Sequence, residues 1–240
     1  MKTRFQKRNN NQIRPISMKK NVSPYAEGSC FVKFGNTHIL CTASVDEKVP
    51  SWLRGTNKGW ITAEYGMLPR STHYRMDRDV NKGKVSGRTQ EIQRLIGRSL
   101  RSAVNLELLG EIQIKIDCDV IQADGGTRTS AISGAWVALH DSIKFLISKG
   151  RISTNPIIDQ VAAISCGIVS EEILIDLDYD EDSNAEVDSN FVLTESKKII
   201  EIQTTSEKKP IDKETFLKMY QLVENQIDII FTKQVDAISK

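Results

Sequence analysis

Alternating hydrophobic and polar positions predict a β-sheet in the first half of the chain. Residues 30–34 and 38–43 each alternate in this way around a glycine-containing connection at 35–37, which is the pattern of a β-hairpin. Residues 112–121 repeat the alternation and predict a further strand. Segment 50–84 contains glycine, proline and many arginines without sustained periodicity. We interpret it as long irregular structure, which in proteins is usually functional or mobile.

Helical spacing of hydrophobic residues predicts helices between these strands. From Thr89 onward, isoleucine and leucine recur every three or four positions while arginine and glutamate occupy the other faces, which is typical of an amphipathic helix. Residues 130–149 predict a second helix that ends at Gly150. Further strands are predicted at 160–170, 173–179, 190–194 and 199–203, and a last helix at 213–237. Strands and helices mixed in this order predict an α+β fold.

The length and charge of the chain limit what it can be. A chain of 240 residues with 39% hydrophobic content can bury one sizeable core, so we expect a single domain over residues 1–240. The 33 basic and 31 acidic side chains leave a formal charge of +2. Nucleic-acid binding would therefore have to come from local clusters of positive charge.

Cysteine and histidine usage argues against a structural zinc site. The cysteines lie far apart in apolar stretches, which indicates buried free thiols in a reducing compartment. They are Cys30, Cys41, Cys118 and Cys166. No CxxC pair occurs and the three histidines are scattered. The basic N-terminus lacks the apolar run of a secretory signal, and no stretch reaches the roughly 18 apolar residues of a membrane span. We expect a cytoplasmic protein.

Two helix starts carry the residues of an anion-binding site. Residues 124–130 join a strand end to a helix start, where paired glycines let the backbone approach a ligand and helix amides favour an anion. Arg128 adds a bidentate donor there, and Arg88 precedes the first predicted helix. If the two starts converge, both arginines would hold one phosphate. Taken alone, the glycine pair also suits a tight turn, and each arginine could be a solvated side chain.

Residues 179–190 form an acidic turn between predicted strands. Two of its aspartates could hold a divalent cation through oxygen ligands, as magnesium-dependent phosphoryl chemistry requires. A calcium loop of the EF-hand type fits poorly, because Glu181 stands where that loop needs glycine and Val187 stands where it needs the bidentate glutamate. A solvated acidic turn without any ligand is the simpler alternative.

Arginines and aromatic residues are interleaved between residues 52 and 78. The basic residues are Arg54, Lys58, Arg70, Arg75 and Arg78, and the aromatic ones are Trp52, Trp60, Tyr65, His73 and Tyr74. Arginines beside aromatic rings suit the backbone and the stacked bases of single-stranded RNA. An ordinary charged loop would have a similar composition. Because neither a nucleotide-binding fingerprint nor a GxSxG elbow occurs, phosphate chemistry on RNA is the interpretation that remains.

At these motifs the sequence closely resembles the ribonuclease PH family, which is related to polynucleotide phosphorylase and to the ring subunits of the exosome. The resemblance extends over nearly the whole chain and rests on long segments. They are RPI at Arg14, AEGSCFVKFGNTHILCTAS from Ala26, GWITAEYGMLPRSTHYR from Gly59, SGRTQEIQRLIGRSLRSAV from Ser86, IDCDVIQADGGTRTSAISGAWVAL from Ile116 and LIDLDYDEDSNAEVDSN from Leu174.

The resemblance implies a role for individual residues. In that family the arginine of a GRT motif and a GTR triplet bind inorganic phosphate, paired aspartates are catalytic and bind the metal, and an arginine-rich segment holds tRNA. For phosphate the matching residues are Arg88, Gly126, Thr127 and Arg128, of which the two arginines also count as catalytic. For the metal, Mg²⁺ or Mn²⁺, they are Asp182 and Asp188. For tRNA they are Arg70, Arg75 and Arg78.

The resemblance also implies an activity and an assembly. We expect a phosphate-dependent 3′ to 5′ exoribonuclease that trims tRNA precursors and other structured RNAs such as rRNA. It would release nucleoside diphosphates in a reversible nucleotidyltransferase reaction. The implied fold is like the second domain of ribosomal protein S5, and the implied assembly is a homo-hexamer built as a trimer of dimers.

The sequence departs from the family pattern at two places. Thr204 replaces the glycine of the usual EIQGT motif, and Asp77 and Asp79 lie among the arginines, which puts backbone detail and RNA affinity in question. Two other functions compete with the proposed reaction. A non-catalytic RNA-binding ring subunit would not need the phosphate and acidic residues together, and a metal-dependent hydrolytic nuclease would leave the anion pockets without a purpose. A requirement for phosphate separates these alternatives.

Overall fold

The predicted hairpin lies within a five-stranded sheet of order β1-β2-β3-β5-β4. The structure is a computed structural model that describes Arg4, residues 7–78 and residues 83–239. The strands of this first sheet are β1 (Ile16–Lys20), β2 (Gly28–Phe34), β3 (Thr37–Asp46), β4 (Trp60–Met67) and β5 (Gln113–Gln122). β2 and β3 pair antiparallel through a two-residue connection that begins at Gly35, whose φ of +54° suits glycine. The hairpin prediction is confirmed, whereas the edge strand β1 was missed.

β4 lies where the sequence predicted only irregular structure, so that prediction was wrong for this segment. Alternate side chains of β4, at Ile61, Ala63 and Tyr65, are buried, which is the period-two pattern of a half-buried strand. The pattern is short and borders on glycine-rich and arginine-rich stretches, so it does not stand out from the irregular segment around it. β4 runs parallel to β5, and parallel neighbours need a crossover connection. Helix α1 (Gly87–Arg101) supplies it.

A second sheet carries the rest of the strands in the order β7-β6-β8-β9, all antiparallel. Its strands are β6 (Val161–Val169), β7 (Glu172–Ile175), β8 (Val187–Thr194) and β9 (Ile199–Ser206). The predicted strand at 173–179 was too long, because the chain leaves β7 at Asp176, where φ is +55°. The predicted acidic turn contains a short helix, α4 (Tyr179–Ser183).

Helix α3 (Thr127–Ser148) packs between the two sheets, against β2, β3 and β5 of the first and β6 of the second. The packing is close. A Cβ atom at Gly134 would meet Val32 Cγ1 at 2.5 Å, so only glycine fits there. Helix α3 begins three residues earlier than predicted, and α1 begins two residues earlier. As a result Arg88 and Arg128 lie within the first turns of their helices.

The predicted C-terminal helix is two helices, α5 (Lys213–Gln226) and α6 (Asp228–Ile238). A fully buried Ile227 separates them. The division accompanies a change of packing partners, since both helices contact β6 but α5 also contacts β7, whereas α6 also contacts β1 and α3. Because no proline or glycine marks the junction, the sequence carried no signal for it. A one-turn helix, α2 (Leu106–Leu109), was also missed.

One large cluster of buried hydrophobic side chains includes residues from both sheets and from helices α1, α3, α5 and α6. All four cysteines lie buried as free thiols, as predicted. The α+β prediction is confirmed, whereas the single domain stays a prediction. Within the described residues, no helix combines the length and the apolar character needed to cross a bilayer.

Candidate active site

A cavity of about 850 Å³ collects the predicted site residues from both halves of the chain. It lies where the start of α1, the turn between β5 and α3, helix α4 and the start of β8 meet. The predicted residues that line it are Arg75, Arg88, Gly126, Thr127, Arg128, Asp182 and Asp188. Arg70 and Arg78 are exposed and are not part of its lining. The structure therefore brings the two predicted anion-binding helix starts and the two aspartates together.

The turn between β5 and α3 consists of two glycines with left-handed backbone. Gly125 has a φ of +74° and Gly126 has a φ of +63°. A Cβ atom at Gly125 would lie 2.5 Å from the carbonyl oxygen of Leu177, and one at Gly126 would lie 3.0 Å from the guanidinium of Arg14. The turn thus needs glycine for its conformation and for its close contact with neighbouring chain segments. Gly126 caps α3 without a side chain, so the helix start stays open toward the cavity.

Arg128 is held by polar side chains from two other elements. Its guanidinium donates a hydrogen bond to Gln203 Oε1 at 2.8 Å and lies 3.3 Å from the Glu91 carboxylate. Gln203 in turn donates to Glu91 and to Glu201. Because Glu91 lies one turn after Arg88 on α1, this network fixes the start of α1 relative to the start of α3. Thr204, the departure from the family glycine, is exposed on β9.

Tyr65 contacts the residue that follows the turn at Gly125 and Gly126. Its hydroxyl group lies 2.8 Å from Thr127 Oγ1, and its ring is buried in β4. Burial raises the pKa of the Tyr65 hydroxyl. The sequence predicted that Tyr65 and Trp60 are among the aromatic residues available to RNA bases. This prediction is wrong for Tyr65, whose ring lies inside the core. The Arg101 guanidinium covers the Trp60 ring at 4.3 Å.

Asp182 and Asp188 face the same cavity from α4 and β8. Burial, and then the negative charge of Asp182, raise the pKa of Asp188 to about 6. Burial also raises the pKa of Asp182, and the positive charges of Arg88 and Arg128 oppose the shift at both carboxyls. Two partly buried carboxylates that repel each other are a suitable place for a cation.

The carboxylates of Asp182 and Asp188 suit a magnesium ion better than they suit a metal whose ligands all come from the protein. Within the described residues, no three His, Cys, Asp or Glu side chains come together as a ligand set. Mg²⁺ is commonly held by one or two carboxylates, with water and substrate phosphate oxygens completing its shell. Asp182 and Asp188 beside a turn that favours an anion match this arrangement, and they match a closed zinc site poorly.

The arginine-rich loop before α1 is anchored at the sheet and exposed beyond it. Its anchors are backbone hydrogen bonds, from Leu68 to Val120 and from Ala123 to Ser71. Beyond them, Arg75 pairs with Asp77 at 3.2 Å with both side chains more than half exposed. The His73 ring lies 5.3 Å from that of Tyr179, at the cavity. Asp79 lies outside the described residues.

Sequence reasoning missed a group of buried charged residues behind the cavity. Its members are Arg4, Arg8, Arg14, Asp176, Asp178 and Glu181, joined by ion pairs at 2.6–3.8 Å. A signal did exist for two of them. Arg14 stands beside Ile13, and Asp176 lies between Ile175 and Leu177, so each is a charge inside an otherwise apolar run, and buried charges are usually paired.

Comparison with known proteins identifies relatives over almost the whole chain. Residues 12–144 match domain 1 of the 3′ exoribonuclease family, and residues 159–222 match domain 2. Ribonuclease PH of Methylobacterium radiotolerans is 56% identical over 233 residues, which are 97% of this chain and 98% of that protein. Ribonuclease PH of Maricaulis maris is 55% identical over 226 residues, 94% of this chain and 95% of that protein.

Solved structures share the fold at much lower sequence identity. Rrp46 of rice (Oryza sativa) has a TM-score of 0.78 at 19% identity and covers 97% of this chain and 99% of its own. The Archaeoglobus fulgidus exosome with RNA bound to the active site has a TM-score of 0.80 at 18% identity, covering 97% and 92%. These likenesses support the α+β architecture described above.

Proposed function

The chain belongs to the 3′ exoribonuclease family as a phosphorolytic enzyme of the ribonuclease PH type, and from that premise we propose that it trims the 3′ ends of transfer RNA. The observation that carries the proposal is that Arg88, Arg128 and the turn at Gly126 line one cavity with Asp182 and Asp188. An anion receptor and a pair of carboxylates in one cavity are the parts that attack by phosphate on RNA requires.

Inorganic phosphate is bound by the two helix starts. The guanidinium groups of Arg88 and Arg128 and the amides of Gly126 and Thr127 supply donors and positive charge for its oxygens. One phosphate oxygen attacks the last phosphorus atom of the RNA, opposite the 3′ oxygen of the penultimate nucleotide. The bond to that oxygen breaks, its electron pair stays on the oxygen, which takes up a proton, and a nucleoside diphosphate leaves. The reverse reaction adds nucleotides from diphosphates.

Asp182 and Asp188 would hold Mg²⁺ or Mn²⁺, which supplies positive charge for the negative charge that develops during transfer. The raised pKa of Asp188 supports this role, since a cation relieves the repulsion that contributes to the shift.

The exposed arginines receive the RNA backbone, Arg75 at the edge of the cavity and Arg70 and Arg78 outside its lining. A protomer with a formal charge of +2 concentrates little positive charge by itself, so we also propose a homo-hexameric ring, a trimer of dimers, that brings these loops together. The archaeal exosome with RNA bound to the active site is a relative by fold, which supports RNA as the substrate class. The cytoplasmic location stays a prediction.

The test is digestion of a tRNA precursor with and without added phosphate. We expect trimming only with phosphate and nucleoside diphosphates as the products, identified by chromatography. Monophosphate products at an undiminished rate in phosphate-free buffer would indicate a hydrolytic nuclease. RNA binding without any trimming in either buffer, with Mg²⁺ or Mn²⁺ present, would indicate a non-catalytic ring subunit.

A further inference from the structure

Three arginines of the N-terminal segment lie in a buried ion network behind the cavity. Arg14 pairs with Asp176 at 2.6 Å, and both side chains are almost completely buried. Arg8 lies 3.4 Å from Glu181 and 3.7 Å from Asp176, and Arg4 donates to Glu181 at 2.6 Å. Moving so many charged groups from water into the interior costs free energy that can exceed the attraction between them, so buried ion pairs are weak evidence of a stabilising role. The hydrogen bonds that the network makes to the neighbouring turn and helix indicate a different role.

The Arg14 side of the network holds the carbonyl groups of the phosphate turn. Arg14 Nη1 donates to the carbonyl oxygen of Asp124 at 2.5 Å, and Thr37 Oγ1 donates to that of Gly125 at 2.7 Å. Within a trans peptide unit the N–H points opposite to the C=O. The amides of Gly125 and Gly126 therefore point away from Arg14 and Thr37.

The next peptide unit continues the same arrangement. The carbonyl oxygen of Gly126 accepts from the amide of Ser130 at 3.0 Å inside α3, so the amide of Thr127 points out of the helix start. The residues that carry these three amides all line the cavity. Successive amides directed to one side form an anion-binding nest. Arg14 and Thr37 fix the direction of these amides through their hydrogen bonds to the carbonyl oxygens on the opposite side of the turn. Asp176 fixes Arg14 by its ion pair.

The Arg4 and Arg8 side of the network holds helix α4. Glu181 accepts from both arginines and also from the backbone amide of Asp178, and thereby completes the capping box of that helix. Asp182 follows Glu181 directly and faces the cavity. Because α4 is only five residues long, contacts from outside the helix decide its position.

We propose that Arg4, Arg8 and Arg14 are positioning residues of the active site, which link the N-terminal segment to both of its halves. Arg14, with Thr37 and Asp176, sets the affinity for phosphate through the direction of the turn amides. Arg4 and Arg8, through Glu181, set the position of Asp182 and thereby the affinity for the divalent cation. The proposal deepens the proposed function and rests on it.

The phosphate branch is tested with Thr37→Val, which keeps the shape of the side chain and removes its hydroxyl. We expect the KM for phosphate to rise by about tenfold, the lower range for residues that orient a binding group. The KM for RNA and kcat at saturating phosphate should change less than twofold. Titration calorimetry with inorganic phosphate should show the same loss of affinity without any RNA. Arg14→Lys, which keeps the charge and loses the planar fork, should act in the same direction.

The matched control is Thr194→Val. Thr194 is also buried. Its hydroxyl accepts a backbone hydrogen bond from Lys198, as the Thr37 hydroxyl accepts one from Asp124, but it contacts neither the turn nor the network. It should leave the phosphate affinity unchanged. If Thr37→Val bound phosphate as tightly as the wild type, or if the control lost the same affinity, the positioning role of the Arg14 branch would be overturned.

The carboxylate branch is tested with Arg4→Gln. We expect weaker Mn²⁺ binding by about tenfold, measured by electron paramagnetic resonance on the protein without RNA, and an unchanged KM for phosphate. Lys20→Gln is the control, since Lys20 lies in a largely buried pair with Asp141 at 3.9 Å and outside the network. Equal Mn²⁺ affinity in Arg4→Gln and wild type would overturn this branch. Trimming of RNA by the wild type without phosphate would refute the proposed function. The phosphate and Mn²⁺ binding measurements use no RNA, so they test the positioning roles independently of that result.

Discussion

The glycine turn, for which we propose phosphate binding, and the arginine-rich loop face the same cavity and are built in opposite ways. The turn at Gly125 and Gly126 is held from behind by buried donors, and any side chain at Gly125 would collide with the backbone at Leu177. The loop is anchored at Leu68 and Ser71 by backbone hydrogen bonds, and its arginines are exposed. Inorganic phosphate has a single shape, which suits donors fixed in advance. An RNA backbone varies in shape, which suits exposed positive charges that can adjust to it.

The difference predicts where mutations act. Changes at the turn, at the two aspartates or in the network behind them should alter turnover, folding or phosphate affinity by large factors, because these groups are partly or fully buried. Changes in the loop alter RNA binding by small factors that depend on salt, because the charges lie in water and are screened.

Replacing Asp188 by asparagine should have the largest effect. Asparagine keeps the size and removes the negative charge that a divalent cation requires, so kcat should fall by at least about 100-fold. RNA binding, measured by fluorescence anisotropy, should remain within a few-fold of wild type because the arginine loop is untouched. A folded Asp188→Asn protein with wild-type kcat would mean that the carboxylate only faces water.

Replacing Gly125 by alanine should destabilise the fold most. The new Cβ would lie 2.5 Å from the Leu177 carbonyl oxygen, and φ is +74°, so we expect a loss of about 3 kcal/mol or more in the free energy of unfolding. Gly55→Ala is the control, because Gly55 has a φ of +77° and open space around it. It should cost only about 1–2 kcal/mol. Equal losses by urea denaturation would show that the close contact at Gly125 is unimportant.

The two regions also differ in how well the sequence predicted them. The glycine turn was predicted as an anion site from local features, namely paired glycines and an arginine close to a helix start, and phosphate binding there stays a prediction. Its support was not predicted, because Arg14 and Asp176 are 162 residues apart and only the fold brings them together. The sequence likewise could not indicate that Glu91 and Gln203 hold Arg128, or that the C-terminal helix divides at Ile227. Tertiary packing decides both.

Cation binding should depend on pH through Asp188. Burial and the charge of Asp182 raise its pKa to about 6, so below that pH a proton must leave before a cation binds. Mn²⁺ affinity should therefore increase up to about tenfold per pH unit below 6 and level off above it, measured by electron paramagnetic resonance between pH 5 and pH 8. In the absence of a cation, the dependence of folding stability on pH has the opposite sign. The pKa of Asp188 is higher in the folded protein than in the unfolded chain, so the free energy of unfolding gains a contribution from this carboxyl at low pH. That contribution is lost as pH rises through about 6.

The smallest effects should come from the loop, where Arg75 is paired with Asp77. Arg75→Gln should weaken RNA binding by a few-fold at moderate salt and reduce the slope of log affinity against log salt by about 0.7, the value for one phosphate contact on a single strand. The KM for phosphate should not change, since the turn is held independently of the loop. Asp77→Asn should act in the opposite direction, because it frees Arg75 from its exposed partner.

Arg151→Gln is the control for the loop, because Arg151 is also an exposed arginine paired with a carboxylate, Glu47, but it does not line the cavity. It should leave the salt slope unchanged. If Arg75→Gln changed the phosphate KM as strongly as Thr37→Val, the loop and the turn would act as one unit. The contrast between a fixed receptor for phosphate and an adaptable one for RNA would then be wrong.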